Sequence, residues 1–231
     1  NALTVAGWFE LAQIMRDLGR RSDVRVVILT AEGRGFNAGV DIKEMQRTEG
    51  FEALIGANRG CYEAFGAVYA CEVPVIAAVH GYCLGGGIGL VGNADIIIAS
   101  EDATFGLPEV DRGALGAATH LARLVPQHKM RAMVYTCARA TAQELHHFGS
   151  VLQVVPRDQL RTAARSVADG IAAKSPTVIR AAKASLNGID PVDVNRSYRF
   201  EQGFTFELNL SGVADEARNA FVEKRDADTS T

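Results

Sequence analysis

An α/β fold is the class this sequence predicts, and three patterns predict it. Short β-branched runs alternate with longer stretches whose apolar residues recur at helical spacing. Glycine-rich turns follow the first two of those runs. Beyond residue 115 the β signal fades, leaving a largely helical remainder.

The elements follow in order. GWFELAQIMRDLGRR (7–21) places Trp8, Leu11, Met15 and Leu18 on one helical face, and VRVVILTA (24–31) reads as a buried strand. EGRGFNAGVD (32–41) carries three glycines and an asparagine, too many for a regular element. Phe51, Leu54, Cys61, Phe65 and Val68 mark a long amphipathic helix. VPVIAAV (73–79) is a second buried strand, followed by the glycine stretch GGGIGLVGNAD (85–95) and a third strand, DIIIAS (95–100). Successive helices fit ATHLARLVP, KMRAMVYTC, TAQELHHFG and the segments after Pro156, Pro176 and Asp215. SVLQVV (150–155) reads as a further strand. This divides the chain into an α/β core over 1–175 and a helical C-terminal region over 176–231.

Composition narrows the function. The 231 residues are 48% hydrophobic and 22% charged with a net charge of −3, which suits one soluble domain or a core with a helical appendage. That balance lacks the basic stripe of a nucleic-acid binder. No apolar run approaches the roughly 20 residues that span a bilayer, so no membrane partner is expected. Cys61, Cys71, Cys83 and Cys137 form no CxxC pair, which points to a reducing, cytoplasmic setting. His146–His147, His120 and His128 lack the spacing of a metal site, so no metal is expected. The chain opens NALTV without a methionine, and further residues are expected before it.

The glycines raise the functional question. GIGLVG (87–92) matches GxGxxG, but a dinucleotide site needs a full-length helix next and an acidic residue about 20 residues on. Here Asp95 opens a new strand almost at once. No Lys-Ser/Thr follows, as a P-loop requires. Two readings remain. Either FNAGVD and YCLGGG are tight turns without chemistry, or they lie side by side at the carboxyl ends of neighbouring strands, where open α/β sheets bind ligands. In the second case one backbone N–H from each converges on a single oxygen. Glycine permits the close approach, and the short helix after Gly86 turns its positive end to the same point. That is an oxyanion hole made of main chain.

GRGFNAGVDIKEM, PVIAAVHGYCLGGGIGL, DATFGLPEV and AFVEKRD, in this order along almost the whole chain, resemble the crotonase, or enoyl-CoA hydratase/isomerase, superfamily. NAL is similar to the end of that family's RPxxNAL segment, which implies N-terminal strands missing ahead of it. The resemblance implies a spiral of ββα units with a helical C-terminal region that assembles a homotrimer, often paired into a hexamer. It implies an acyl-CoA substrate, with coenzyme A as part of that substrate and no separate cofactor. The thioester oxygen would sit between the amides of Val40 and Gly86. Ala38, Gly39, Val40, Asp41, Ile42 and Lys43, with Gly86, would line the CoA site.

Family hydratases carry two glutamates. One matches Glu109, the expected acid/base; the other position holds Gly89, which cannot carry a proton. Hydration must manage both the attacking water and the α-carbon proton, so a lone Glu109 suits double-bond isomerisation or water activation for carbon–carbon cleavage better. Asp111, two residues on, is a candidate second acid, with a solvated or Arg112-paired carboxylate as the plainer reading. Tyr82 and His120 read as packing. AEGRGFNAGVDIKEMQRTEGF, SEDATFGLPEV, RGALGAATHLARLVPQH and EQGFTFELNL resemble the actinobacterial steroid-degradation branch of the family. That branch hydrolytically opens a ring of a bicyclic steroid-derived acyl-CoA. The alternatives implied by the wider family are an enoyl-CoA hydratase, a Δ3,Δ2-enoyl-CoA isomerase and, more remotely, a non-catalytic CoA-binding relative.

Overall fold

The structure is a computed structural model that describes residues 1–48 and 51–225. The last six positions of the expected C-terminal region, Asp226 of AFVEKRD among them, lie outside the described residues.

The first half runs α1 (Val5–Arg20), β1 (Val27–Leu29), α2 (Ile42–Arg47), α3 (Glu52–Tyr69), β2 (Val75–Val79), β3 (Tyr82–Leu84), α4 (Gly86–Val91), β4 (Ile96–Ser100) and β5 (Thr104–Gly106). The second half runs α5 (Ala118–Leu121), α6 (Gln127–Thr136), β6 (Ala140–Thr141), α7 (Ala142–His147), β7 (Gln153–Val155), α8 (Leu160–Ala172), α9 (Pro176–Gly188), α10 (Val194–Leu210) and α11 (Val213–Glu223).

Four strands form a parallel sheet in the order β1-β2-β4-β7. All five residues of β2 are buried, and alternation divides them between two layers. Val75, Ala77 and Val79 face the main core with Trp8, Met15, Phe65 and Val68 from α1 and α3. Ile76 and Ala78 face Leu160, Ala164 and Ala168 of α8. A helical layer therefore covers each face, as parallel sheets require. The expected strand at 24–31 is shorter than its β-branched run, because β1 is an edge strand whose ladder spans only Val75–Ala77 of its neighbour.

A second sheet, β3-β5-β6, stands at the carboxyl ends of β2 and β4. The sequence reading missed all three of its strands. β3 falls within what reads as a glycine loop, and β6 is two residues long. The helix expected over ATHLARLVP also contracts, to Ala118–Leu121.

α10 lies within the helical region expected over 176–231, but its buried side departs from an apolar stripe. Beyond Val194 and Tyr198 near its start, the side it buries carries Gln202, Thr205 and Asn209, so no apolar stripe runs the length of its inward side. Each polar group is satisfied instead. Gln202 donates to the Asn58 carbonyl at 2.7 Å, Thr205 to the Leu115 carbonyl at 2.6 Å, and Asn209 to the Thr205 carbonyl at 2.7 Å. Its apolar residues point outward, with Phe200 and Leu210 72% and 70% exposed. Among the described residues no helix is long and apolar enough to cross a membrane.

One ion pair joins α9 to the sheet. Lys183, 4% exposed, places Nζ 2.7 and 2.8 Å from the two Asp95 oxygens, and Asp95 also accepts the Val75 N–H at 2.8 Å. Removing one member of a buried pair costs about 3–5 kcal/mol because the other charge is stranded. The Asp95 side chain keeps 23% exposure, which puts Lys183→Ala near the lower end, about 3 kcal/mol. Urea unfolding checks this; a midpoint equal to the parent's would show that the pair does not hold the helix.

Candidate active site

The two glycine loops meet backbone to backbone. Asn37, buried in the first loop, bridges to Cys83 of β3, and its side chain accepts the Gly39 N–H at 2.7 Å and donates to the Asn1 carbonyl at 2.9 Å. Gly39 and Gly85 both have positive φ, +85° and +55°, where glycine alone is unstrained. A Cβ on Gly39 would stand 3.0 Å from the Gly86 nitrogen, and one on Gly86 would stand 2.8 Å from the Trp8 indole. Glycine is therefore a steric requirement at both positions.

Two N–H groups are left unspent by this contact. Leu3 donates to the Gly39 carbonyl and accepts from Asp41, both at 2.9 Å, in a parallel bridge that turns the Val40 N–H to the opposite side. Gly86 opens α4, where an N–H has no intrahelical acceptor. Among the described residues neither N–H makes a hydrogen bond, and both residues line one cavity of about 150 Å³.

Glu109 lines the same cavity. It follows β5 and precedes a 3₁₀ turn, Val110–Arg112. Its Oε1 lies 2.5 Å from where a Gly85 Cβ would be, so it sits directly over the second glycine loop. Its Oε2 is shut off from solvent and has no hydrogen-bond partner. Burial pushes the carboxyl up to about 8; the nearby Arg112 charge opposes that shift only in part. Glu109, Leu115 and Gly116 also border a wider apolar hollow of about 650 Å³, lined by Leu107, Met130, Val134, Phe200 and Phe204.

Ala38, Gly39, Val40, Ile42, Gly86 and Glu109 are thus gathered around one cavity, and Asp41 and Lys43 are not among its lining residues. Asp41 caps α2 by accepting the Lys43 N–H at 2.9 Å, and Lys43 is exposed. Asp111 turns away. The 3₁₀ turn replaces the extended backbone on which the sequence reading relied, so Asp111 is exposed beside the Cys137 thiol and forms no pair with Arg112. His120 is core: burial keeps its imidazole neutral, with its pKa pushed down to about 3, and its Nδ1 lies 3.0 Å from the Asn93 amide. Tyr82 packs against Gly35. No cluster of three His, Cys, Asp or Glu fit for a metal occurs among the described residues.

Sequence reasoning missed the second half of the lining. Cys61, Arg112, Tyr198, Thr205, Asn209 and Arg218 all contribute to it, and no local motif marks them. It also missed what faces Gly89. A Cβ there would lie 2.2, 2.3 and 2.6 Å from carbons of the Phe65 ring. That ring is 1% exposed and is held edge-on by Trp8 at 5.5 Å and His120 at 5.1 Å. The position is filled by an aromatic ring as well as lacking a carboxylate.

The chain belongs to the enoyl-CoA hydratase/isomerase family, whose sequence model matches residues 1–230. It is 70% identical over 224 residues to the Mycobacterium tuberculosis (7aS)-7a-methyl-1,5-dioxo-2,3,5,6,7,7a-hexahydro-1H-indene-carboxyl-CoA hydrolase, covering 97% of this chain and 91% of that protein. It is 68% identical to the Rhodococcus jostii protein of the same name, covering 96% and 86%. An enoyl-CoA hydratase from Mycobacterium avium subsp. paratuberculosis shares the fold at a TM-score of 0.87 and 23% identity, over 100% of this chain and 90% of that one. A carnitinyl-CoA hydratase from Mycobacterium avium matches at 0.84 and 29%, over 99% and 90%.

Gly89→Glu cannot simply restore a second carboxylate, because the new side chain meets the Phe65 ring. Overpacking a core of this kind costs about 1–3 kcal/mol. The variant is expected to melt lower than the parent and to gain no hydration of a straight-chain enoyl-CoA. A gain in hydration at unchanged stability would show that Phe65 yields.

Proposed function

We propose that this protein hydrolytically opens a ring of a bicyclic, steroid-derived keto acyl-CoA. Val40 and Gly86 supply an oxyanion hole, and Glu109 is the acid/base. The reading is carried by one observation: two unspent main-chain N–H groups flank a cavity whose carboxylate has a free, buried oxygen. The identity of about 70% to the indene-carboxyl-CoA hydrolases directs it to that substrate class. In the ring system they are named for, a ketone at position 1 adjoins the methyl-bearing ring-fusion carbon 7a.

The reaction needs one water. Ionised Glu109 takes a proton from it as the oxygen bonds to the ring ketone carbon. The adduct collapses to a carboxylic acid by breaking the bond to the ring-fusion carbon, and the electron pair passes by conjugation to the thioester oxygen. That enolate oxygen accepts from the Val40 and Gly86 N–H groups, donors whose loss typically costs about 10²–10³ in turnover. Glu109 then returns its proton to carbon. No redox partner or metal is required. The wide hollow beyond Glu109 gives a bicyclic group room, and Phe65 over Gly89 disfavours the two-carboxylate hydration of a straight chain.

Exposed Lys43 and the helix cap Asp41 would meet the CoA portion outside the cavity. The outward apolar side of α10, with Phe204 and Leu210, supports self-association as a homotrimer or hexamer. A cytoplasmic setting suits the free thiols of Cys61, Cys71, Cys83 and Cys137.

Water labelled with oxygen-18 tests the reaction. One labelled oxygen is expected in the new carboxyl group of a ring-opened product whose thioester is intact. Free CoA, with label at the former thioester carbon, would contradict ring opening. Because Glu109 accepts a proton only when ionised and its pKa lies near 8, kcat/KM should rise about tenfold per pH unit below 8 and level off above. Glu109→Gln should abolish that rise and lower turnover by about 10² or more.

A further inference from the structure

Hydrolytic ring opening generates negative charge twice. The first is on the ring ketone oxygen, in the water adduct and again in the carboxylate once the product acid has lost its proton to solvent; the second is on the thioester oxygen, in the enolate. In the proposed reading Val40 and Gly86, which line one cavity with their N–H groups unspent, serve the second. A group that stabilises the first must line the same cavity, carry donors and still have one unspent.

Two cations line the cavity, Arg112 and Arg218. Arg218 is committed, donating to Asp215 and to the Asn209 side-chain oxygen. Arg112 is not. No carboxylate pairs with it among the described residues, and its Nε–H is shut off from solvent without a hydrogen-bond partner. Its guanidinium is held in place: Nη1 donates to the Pro108 carbonyl at 3.3 Å, and the group lies 4.1 Å from the centre of the Phe221 ring. Its backbone N–H donates to the Glu109 carbonyl at 2.9 Å, so base and cation are rigidly linked through one turn. Leaving a guanidinium donor buried and unspent is costly to folding, and a substrate oxygen would satisfy it.

We propose that Arg112 is a second catalytic residue, whose guanidinium takes the ring ketone oxygen as water adds and then holds the carboxylate that forms. The assignment rests on the ring-opening reading above. It makes the site two-centred, with backbone donors for the enolate and a fixed cation for the other oxyanion. Planar, fixed donors suit a nascent carboxylate better than a lysine would.

The test separates the two centres. Ring opening of a bicyclic diketo acyl-CoA needs both. Exchange of α-hydrogens of a saturated acyl-CoA with deuterated water needs only Glu109 and the backbone donors. Arg112→Ala is expected to lower ring opening by about 10²–10³, the scale of one lost oxyanion donor, while exchange compared on its high-pH plateau stays near the parental rate. Free guanidinium at millimolar concentration should restore part of the ring opening. Without the Arg112 charge, the rising limb of the exchange rate should also move to higher pH, since that charge lowers the Glu109 pKa. Arg112→Lys should recover only part of the loss. Parental ring opening in Arg112→Ala, or equal loss of both reactions without rescue, would overturn the assignment. A parent that exchanges α-hydrogens but opens no ring would overturn the ring-opening reading instead, and this inference with it.

Discussion

Everything at the site depends on how closely two stretches of backbone approach. Gly39 and Gly86 pack so tightly that a single methyl group on either would strike its neighbour: the opposing main chain in one case, the Trp8 indole in the other. The contact does more than close a gap. It holds Val40 and Gly86 beside one cavity while denying their N–H groups any protein acceptor. Backbone N–H groups without a protein acceptor forgo the stabilisation of a hydrogen bond, so the surrounding structure must hold this arrangement in place. The Asn37 side chain, the Leu3 bridge, the Trp8 ring and the short β3-β5 ladder supply that support. In the proposed reading the site is prepared in the folded state, so that an oxyanion entering it needs little reorganisation.

The same dryness sets the behaviour of Glu109. An ionised carboxylate is disfavoured there because burial removes water without supplying a hydrogen-bond partner for Oε2. For the proposed acid/base role, a carboxyl poised near neutral pH is the useful result. Arg112 acts against this shift, moderating it so that the carboxylate still ionises. Phe65 contributes by exclusion, since its ring occupies the side of the cavity from which a second carboxylate would otherwise reach.

Much of this architecture is legible in the sequence, and the gaps have physical causes. Buried strands such as Val75–Val79 announce themselves through unbroken apolar runs, and the two glycine loops do lie side by side, as their places after neighbouring strands suggest. β3, β5 and β6 are two or three residues long and, unlike β1 and β7, lie in no longer β-branched run, so the second sheet stayed hidden. α10 departs from simple amphipathic periodicity because its inward side turns polar beyond Tyr198 while Phe200, Phe204 and Leu210 face out. Phe51 fits the stripe of α3 by spacing, yet it sits at the helix start and is 48% exposed. Asp111 is solvent-exposed, as its plainer reading has it; its candidacy as a second acid assumed an extended backbone, and a 3₁₀ turn directs side chains differently. Trp8 and Phe65 read correctly as core residues, but their contacts with Gly86 and Gly89 arise only when distant helices pack on the glycine turn. Those are tertiary facts, and no local spacing encodes them.

The central claim is that the Val40 and Gly86 N–H groups polarise one thioester oxygen. The direct measurement is the carbonyl stretch of the acyl-CoA thioester bound to the Glu109→Gln protein, which keeps the loops but halts the reaction. Isotope-edited infrared difference spectroscopy with a carbon-13 thioester isolates that band. Two charge-dense donors on the oxygen weaken the carbon–oxygen bond, so the band should fall to lower frequency than in free acyl-CoA and should sharpen as the group is immobilised. A bound thioester whose stretch matches that in water or at higher frequency would contradict the account.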